Sequence, residues 1–351
     1  MSIIDRNIVI TNRENGANHL TPSQKLLQMI SGSWVAQSLY AVAKLSIAEL
    51  LKDGPQHIDQ LASAVEADPQ SLYRLLRALA SVEVFIEVED SRFGLTPIGE
   101  VLQINHPYSL RALAILWGEE QFEAWSNILT SVKTGQCAYE HRTGINFFDY
   151  LNQRTEAART FNEAMISYSQ QTHNSVVDAY DFSGFNKVID VGGGHGSLIS
   201  SILKANPNLK GVLFDIPHAI EGAKQHIQSA GISNRCELVA GDFLKSVPSG
   251  GDAYILSVII HDWDDEHSIT ILKNCHNAID KNGKLLLVEM VIPSGNDPYF
   301  GKWLDLHMLV MHRGRERNET EYRAILDAAG FKLTNIMPTR FLPSVIEAVP
   351  V

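Results

Sequence analysis

The sequence predicts an α/β protein in which a Rossmann-like, mainly parallel sheet follows a mostly helical winged-helix domain. From residue 187 onward, short apolar strands alternate with helical segments, an order typical of a parallel sheet covered by helices on both faces. Residues 21–110 instead combine helical spacing with a short hairpin pattern. We therefore expect a polar tail over 1–20, the winged-helix-like domain over 21–110, a helical connector over 111–180 and the sheet domain over 181–351.

The N-terminal half is divided into helices by Gly and Pro residues. A first stretch of apolar side chains at helical spacing stops at a Lys-Asp-Gly-Pro segment, where Gly and Pro both end a helix. Further along, Asp68 is a candidate N-cap and Pro69 suits the first position of a helix. The order of helix, turn, helix and hairpin is the winged-helix pattern. The predicted helices cover 26–51, 58–65 and 69–81, and the predicted strands cover 84–88 and 92–95.

Composition and charge disfavour a nucleic-acid-binding protein. Of the 351 residues 45% are hydrophobic, enough to fill two cores, and the net charge of −11 repels phosphate backbones. The winged-helix-like region is itself acidic, because residues 56–100 hold eight acids and only three arginines. We therefore interpret this region as a helical packing or dimerisation module and not as a DNA reader.

Neither a disulfide framework nor a membrane span is expected. The three cysteines are widely spaced and form no C-x-x-C pair, and the longest apolar run, residues 253–260, is too short to cross a bilayer. We predict a protein of the reducing cytoplasm that does not bind membranes.

The C-terminal half carries a glycine-rich turn directly after its first strand. In Asp190-Val-Gly192-Gly-Gly194-His-Gly196-Ser, the glycines let backbone approach a ligand closely. A dinucleotide fingerprint would place Gly at position 197, where this chain has Ser, and the acid at 190 suits a pyrophosphate poorly. The spacing favours a cationic ligand with its own ammonium and sulfonium groups over NAD, which leaves a dehydrogenase as a weaker alternative.

Acids also follow the second and third strands of the predicted sheet. Asp215 ends the second strand, where a carboxylate can accept both hydroxyls of a ribose. Asp242 and Phe243 follow the third strand, where an acid can accept an adenine amino hydrogen and a ring can cover the adenine. Asp residues at such positions also cap helices, but acids at three successive strand ends favour a nucleoside site. The last two strands, near 331–337 and 344–349, are expected to form an antiparallel hairpin at one edge.

A histidine with two candidate orienting acids lies at the same edge of the predicted sheet. His261 follows an apolar strand, and a neutral imidazole there can remove the proton of a hydroxyl group as it attacks an electrophilic methyl carbon. Glu289 ends the next strand and Glu316 precedes a helix, and either could hold the distal ring nitrogen. The neighbouring acids are most simply first-turn acids of a helix, and their spacing with His261 and His267 predicts no metal site.

These motifs together resemble the S-adenosylmethionine-dependent small-molecule O-methyltransferases typified by plant caffeate and isoflavone enzymes, with bacterial natural-product relatives. The resemblance rests on VIDVGGGHG, FDIPHAI, AGDFLKSVP, HDWDDEHSITILKNCHNAI, GKLLLVEMVIP and GRERNETEYRAILDAAGF, in that order and at similar spacing. It implies a homodimer formed through the N-terminal domain and a catalytic sheet domain that binds S-adenosylmethionine. It assigns His261 as the base, flanked by Glu289 and Glu316.

The resemblance also assigns the cofactor and acceptor pockets. The implied cofactor contacts come from the glycine turn and from Asp215, Asp242 and Phe243. Plant members place a Lys beside the cofactor where this chain has Ser257, so no charged contact is expected at that cofactor-site position. Met308 and Met311 fall where plant enzymes line the acceptor pocket, although their helical spacing also suits an ordinary core, and Asp262 beside the base is assigned to the same pocket.

The expected activity is therefore methyl transfer from S-adenosylmethionine to a phenol or enol hydroxyl of a small secondary metabolite. Two alternatives stay open beside it and the dehydrogenase. One is a winged-helix regulator that senses S-adenosylmethionine, and the other is a diverged relative that performs decarboxylation or hydroxylation.

Overall fold

The computed structural model describes residues 20–351, which form two compact units, one ending at Gly118 and one beginning at Glu119. The polar tail predicted over 1–20 lies outside the described residues except for Leu20. The boundary between the units falls inside the segment predicted as a connector. Among the described residues, no helix combines the length and the apolar content needed to cross a membrane.

The first unit has the predicted order of helices followed by a hairpin, with one correction. The stretch over 26–51 is not a single helix, because the chain turns at Ser31 and again at Ser46, whose φ of 55° is left-handed. A short strand at Gln56–His57, not predicted, pairs with the hairpin to give an antiparallel sheet of order β1-β3-β2. The elements are α1 Pro22–Ile30, α2 Gly32–Lys44, α3 Ile47–Leu50, β1 Gln56–His57, α4 Ile58–Ala64, α5 Pro69–Ala80, β2 Phe85–Val88, β3 Arg92–Leu95, α6 Pro97–Glu100 and α7 Arg111–Gly118.

The second unit begins with a helical segment and continues as a seven-stranded sheet. The sheet has the order β11-β12-β8-β7-β4-β5-β6, and the pairs from β8 to β6 are parallel. The elements are α8 Glu120–Trp125, α9 Ile128–Thr134, α10 Ala138–Thr143, α11 Phe147–Gln153, α12 Thr155–Ala179, β4 Lys187–Val191, α13 Ser197–Ala205, β5 Lys210–Asp215, α14 Pro217–Ser229, β6 Cys236–Ala240, β7 Ala253–Ser257, α15 Asp265–Ala278, β8 Lys284–Glu289, β9 Val291–Ile292, α16 Phe300–Met311, β10 Arg317–Asn318, α17 Glu319–Ala328, β11 Phe331–Pro338 and β12 Ser344–Pro350.

The expected α/β fold class is confirmed, including the antiparallel hairpin of β11 and β12 at one edge. Alternate side chains of each parallel strand enter two separate apolar cores, one on each face of the sheet. The strand predicted over 253–260 is shorter than expected. It ends at Ser257, because Val258 adopts a left-handed φ of 57° and Ile260–Asp262 form a 3-10 turn.

Candidate active site

The glycine-rich turn packs tightly against the end of β4. A Cβ at Gly193, which the sequence did not single out, would lie 2.4 Å from a Leu213 methyl carbon and 2.5 Å from Asp190 Oδ2. At Gly194 the backbone has a φ of +56°, and a Cβ would meet nothing within 4 Å. Gly193 therefore packs against Asp190, whereas Gly194 faces open space. This leaves room for a ligand to contact the backbone of the turn directly.

Two polar side chains next to this turn are buried and unsatisfied. Asp190 is fully buried, and neither of its carboxylate oxygens accepts a well-formed hydrogen bond from residues 20–351, although the Ile199 amide lies close enough to oppose the rise in its pKa. Ser257 Oγ on the neighbouring strand β7 is likewise without a partner within residues 20–351. Burial, and secondarily the charge of Asp215, raise the pKa of the Asp190 carboxyl to about 7. Unsatisfied buried groups cost free energy, so this region is suited to a ligand that brings donors or positive charge.

The next two acids are already oriented by backbone amides. Asp215 Oδ2 accepts a hydrogen bond from the Gly194 amide at 2.8 Å, and its Oδ1 accepts one from Ile216 at 2.6 Å. Asp242 Oδ1 accepts from the Leu244 amide at 3.0 Å, and its Oδ2 lies 3.1 Å from Lys245 Nζ. The ion-paired hydrogen bond from Lys245 lowers the pKa of Asp242. Asp242 thus has the local contacts of a capping acid as well as the predicted place after β6.

The side chains of Phe243, Trp263 and Ile259 together form a mainly aromatic wall beside the glycine turn. The rings of Phe243 and Trp263 meet edge to face, with centroids 5.9 Å apart and an interplanar angle of 90°. Ile259 belongs to the same wall, because a Cβ at Gly192 would lie 2.6 Å from its Cδ1 and 3.5 Å from a Phe243 ring carbon. Sequence reasoning found Phe243 but missed Trp263, which lies in a run that reads as helix-start acids.

His261 sits on the 3-10 turn after β7 and is held by Glu316. His261 Nδ1 is 2.6 Å from Glu316 Oε1, and both side chains are buried. Glu289 contacts the same turn differently, because its Oε1 accepts the amides of Ile259 at 3.0 Å and Ile260 at 2.7 Å. Of the two acids that the sequence left as alternatives, Glu316 therefore touches the ring and Glu289 touches the backbone that carries it.

This arrangement fixes the protonation of the histidine. A hydrogen bond to a carboxylate requires a proton on Nδ1, which leaves Nε2 as the basic atom. Burial lowers the pKa of the His261 imidazole, but the negative charges of Glu316, Asp262 and Glu289 outweigh it and raise the pKa to about 10. Burial raises the pKa of Glu289 to about 7. The surrounding carboxylates thus favour the protonated form of the ring.

His261, Glu289 and Glu316 also form a possible metal-ligand set, which the sequence did not predict. One ligand atom from each lies within 4.8 Å of the others. The 2.6 Å contact between Nδ1 and Oε1, however, has the length of a charge-assisted hydrogen bond, whereas two ligands on one zinc ion are separated by about 3 Å or more. The set that the sequence weighed and set aside, His261 and His267 with Asp264 and Asp265, does not converge on one point either. Asp264 caps α15 and bonds His267, while Asp265 bonds Arg317.

Comparison with known proteins gives the family. A family model described as the O-methyltransferase domain matches residues 125–332, and one described as the O-methyltransferase dimerisation domain matches residues 27–104. The chain belongs to the O-methyltransferase family. The family identification is confirmed, and this O-methyltransferase family member is an S-adenosylmethionine-dependent methyltransferase.

Individual relatives agree over nearly the whole length. The phenazine O-methyltransferase PhzM of Lysobacter antibioticus is 48% identical over 96% of this chain and 99% of its own. A crystal structure, LaPhzM, covers 95% of this chain and 100% of its own at 48% identity, with a TM-score of 0.89. The phenazine-1-carboxylate N-methyltransferase of Pseudomonas aeruginosa is 31% identical over 91% of this chain and 95% of its own.

A third relative was solved with ligands. The O-methyltransferase from neocarzinostatin biosynthesis, in complex with S-adenosylmethionine and 2-hydroxy-5-methyl naphthoic acid, has a TM-score of 0.79 at 28% identity. The alignment covers 95% of this chain and 100% of that one. The residues of this O-methyltransferase family member fit the cofactor, because unsatisfied Asp190 and Ser257 and the open space at Gly194 lie beside an aromatic wall.

The predicted acceptor pocket is partly connected to His261 by visible contacts. Asp305 on α16 accepts the Glu316 amide at 2.9 Å, and Met308 lies one helical turn further along the same helix face. Met308 and Met311 are both buried. Asp262 Oδ1 is 3.6 Å from His261 Nε2.

Further residues near the histidine carry no sequence motif. Tyr168 on α12 is close enough to the active-site acids that, after burial, the charges of Glu316 and Glu289 raise the pKa of its phenol. On α16, His307 Nδ1 accepts a hydrogen bond from the Trp125 indole at 3.0 Å. Contacts of this kind join residues far apart in the chain, so one sequence cannot reveal them.

Proposed function

We propose that this chain transfers a methyl group to a hydroxyl oxygen of a small aromatic acceptor, with His261 as general base. The observation that carries the proposal is the buried His261–Glu316 pair at the carboxyl edge of the sheet, which leaves Nε2 as the ring atom that can exchange a proton with an acceptor. Bound S-adenosylmethionine supplies an electrophilic methyl group on a positively charged sulfur. Removal of the hydroxyl proton by Nε2 gives the attacking oxygen its charge, and Glu316 stabilises the resulting imidazolium.

Oxygen is a better acceptor atom than a ring nitrogen for this site. A phenol loses a proton when it is methylated, whereas an aromatic ring nitrogen attacks with a free lone pair and needs no base. A histidine that is oriented by a glutamate can therefore assist the methylation of a phenol, but it has no proton to remove when a ring nitrogen is methylated. Because a relative that is 48% identical is named a phenazine O-methyltransferase, we infer that hydroxylated phenazines are the first acceptors to test.

The proposed acceptor site lies around His261 and includes Asp262, Met308 and Met311. The cofactor site includes the glycine turn at Gly192, Gly194 and Gly196, with Asp190, Asp215, Asp242, Phe243 and Ser257 around it. We further propose that the chain acts as a homodimer. Large apolar side chains of the first unit are exposed at Leu26, Met29, Ile30 and Trp34, within or next to the matched dimerisation domain.

The test is an isotope-labelled acceptor panel. The protein is incubated with S-adenosylmethionine carrying a ¹³C-methyl group and, separately, with 1-hydroxyphenazine, phenazine-1-carboxylic acid, catechol and a naphthol. We expect a ¹³C-methoxy product from at least the hydroxyphenazine, identified by the chemical shift of the transferred methyl. An N-methylated product from phenazine-1-carboxylic acid, with no methoxy product from any phenol, would contradict the proposal. It would instead indicate the activity for which the Pseudomonas relative is named.

A further inference from the structure

We propose that Arg317 is a positioning residue for His261, because its buried guanidinium holds the backbone on both sides of the histidine. Arg317 is fully buried and lies on β10, directly after Glu316. Its Nη1 donates to the Ile260 carbonyl at 3.1 Å, and its Nη2 donates to the Trp263 carbonyl at 2.9 Å. These two carbonyls belong to the first residue of the 3-10 turn and to the residue that follows it, so one planar group spans the segment that carries the proposed base.

The guanidinium is itself anchored to the helix that follows the turn. Arg317 Nε and Nη2 both donate to Asp265 Oδ1, at 3.0 and 2.7 Å, and Nη2 also lies 3.3 Å from Ser268 Oγ. Asp265 is the first residue of α15. Arg317 thereby ties the turn to the start of α15, and through Trp263 it also ties the base to the aromatic wall beside the glycine turn.

Residues 315–317 each form a hydrogen bond with His261 or with the backbone next to it. The Arg315 amide donates to the His261 carbonyl at 2.8 Å, Glu316 holds the ring, and Arg317 holds the flanking carbonyls. The approach is so close that a Cβ at Gly314 would lie 1.9 Å from the His261 carbonyl oxygen. A shift of this segment would therefore move both the ring and its backbone.

The turn needs such support because its backbone is strained. Val258, a β-branched residue, has a φ of 57°, a region that such residues rarely adopt and that persists only when the surroundings hold it. Burying a guanidinium is also costly when the one carboxylate it contacts among residues 20–351, that of Asp265, is 53% exposed. A fork with five donors can bond two carbonyls and a carboxylate at once, which a lysine ammonium cannot do in the same plane.

The experiment compares Arg317→Lys with Arg323→Lys, a matched control on α17 that bonds Glu319. For Arg317→Lys we expect kcat to fall by about 100-fold, the effect of misplacing a catalytic group by about 1 Å, with the Kd for S-adenosylhomocysteine within about threefold of the wild type. A second readout is the downfield ¹H resonance of the His261 Nδ1 proton in the S-adenosylhomocysteine complex, assigned by its loss in His261→Ala. It should shift or broaden in Arg317→Lys and stay unchanged in Arg323→Lys.

Two outcomes would overturn the role of Arg317. One is a kcat within about threefold of the wild type with an unchanged resonance. The other is loss of S-adenosylhomocysteine binding in parallel with kcat, which would make Arg317 a general stability element. If Arg317→Lys does not fold, Asp265→Asn loosens the same guanidinium from its anchor, and an unchanged kcat and resonance there would equally refute the proposal. The kcat arm rests on the proposed function, but the resonance is measured without any acceptor, so failure of the two ideas can be told apart.

Discussion

The site has a cofactor side around the glycine turn and a base side around His261, and the two sides hold their main polar groups in different ways. Around the glycine turn, the Asp190 oxygens and Ser257 Oγ are buried without partners in the described part of the chain. Around His261, the ring, the carbonyl and the adjacent amides have hydrogen bonds, from Glu316, Arg315 and Glu289. The second carboxylate oxygens of Glu316 and Glu289 are buried without a partner among residues 20–351. The difference therefore lies in the principal group of each side: the Asp190 carboxylate is left for a ligand to satisfy, whereas the His261 ring and its backbone are held by the protein.

This difference follows from what each side does. A binding site gains affinity when the ligand satisfies groups that are costly to leave unpaired, so unsatisfied atoms there favour the bound state. The rate at which a general base removes a proton does not depend on how tightly the cofactor binds. It depends on the position of the base, which the protein must fix before the reaction begins. We therefore expect substitutions on the two sides to separate affinity from turnover.

The largest separation is expected for His261→Ala. Loss of the base should lower kcat by about 10²- to 10⁴-fold, the usual contribution of general acid–base catalysis, while S-adenosylhomocysteine binds as in the wild type. Steady-state kinetics and calorimetry on the same preparation measure the two effects. A variant that keeps wild-type turnover would reject the base assignment, and one that loses binding would place His261 on the cofactor side of the comparison.

The reverse separation is expected for Gly193→Ala. The added methyl group would meet Leu213 at 2.4 Å and Asp190 at 2.5 Å, so the turn must shift away from β4. We expect the Kd for S-adenosylhomocysteine to rise by about 10- to 100-fold, roughly the cost of overpacking a tight site, with a smaller effect on kcat at saturating cofactor. Gly184→Ala is the control, because a Cβ there meets nothing within 4 Å. Equal affinity in both variants would show that the turn is not packed as described.

The cofactor side was easier to predict from the sequence than the base side. Asp190, the glycines and Asp215 are recognisable because they lie within a few residues of apolar strands, and local spacing places them at one edge of the sheet. His261 was predicted for the same reason. Of the groups that hold it, only Glu289 and Glu316 were predicted, because Arg317 reaches Asp265 across 52 residues and the Glu316 amide is held by Asp305 on α16.

Local backbone conformation was also beyond the sequence. Residues 253–260 read as a continuous apolar strand, yet β7 ends at Ser257 because Val258 takes a left-handed conformation that its side chain disfavours. Similarly, Ser46 breaks a stretch that reads as one helix. Both are places where tertiary contacts outweigh local propensity, as sequence reasoning cannot anticipate.

For Asp190→Asn we expect a moderate gain in the stability of the ligand-free protein together with a loss of affinity for S-adenosylmethionine. Burial raises the pKa of this carboxyl to about 7, so its contribution to stability is complete below pH 3.8 and is lost as the pH rises through about 7. Removing the buried charge should raise the Tm of the ligand-free protein relative to wild type at pH 8 but much less at pH 5, while S-adenosylmethionine binds more weakly. Thermal scans at both pH values test this, and an identical Tm difference at the two would refute the ionisation argument.

The smallest effect links the two sides through a proton. In the ligand-free protein the surrounding carboxylates raise the pKa of His261 to about 10, which favours the protonated ring at pH 8, and the ring must lose its Nε2 proton before it can act as a base. A sulfonium cation bound nearby disfavours a second positive charge and lowers that pKa, whereas the neutral thioether of S-adenosylhomocysteine does not. Calorimetry at pH 8 in two buffers of different ionisation enthalpy should therefore detect more proton release, a fraction of one proton per site, for S-adenosylmethionine than for S-adenosylhomocysteine. His261→Ala should remove most of the difference, since Asp190 and Glu289, with carboxyl pKa values of about 7, are already mostly ionised at pH 8 and have little proton left to release. Equal release for the two ligands in the wild type would mean that the cofactor charge does not reach the imidazole, and that the base is prepared for catalysis by the acceptor instead.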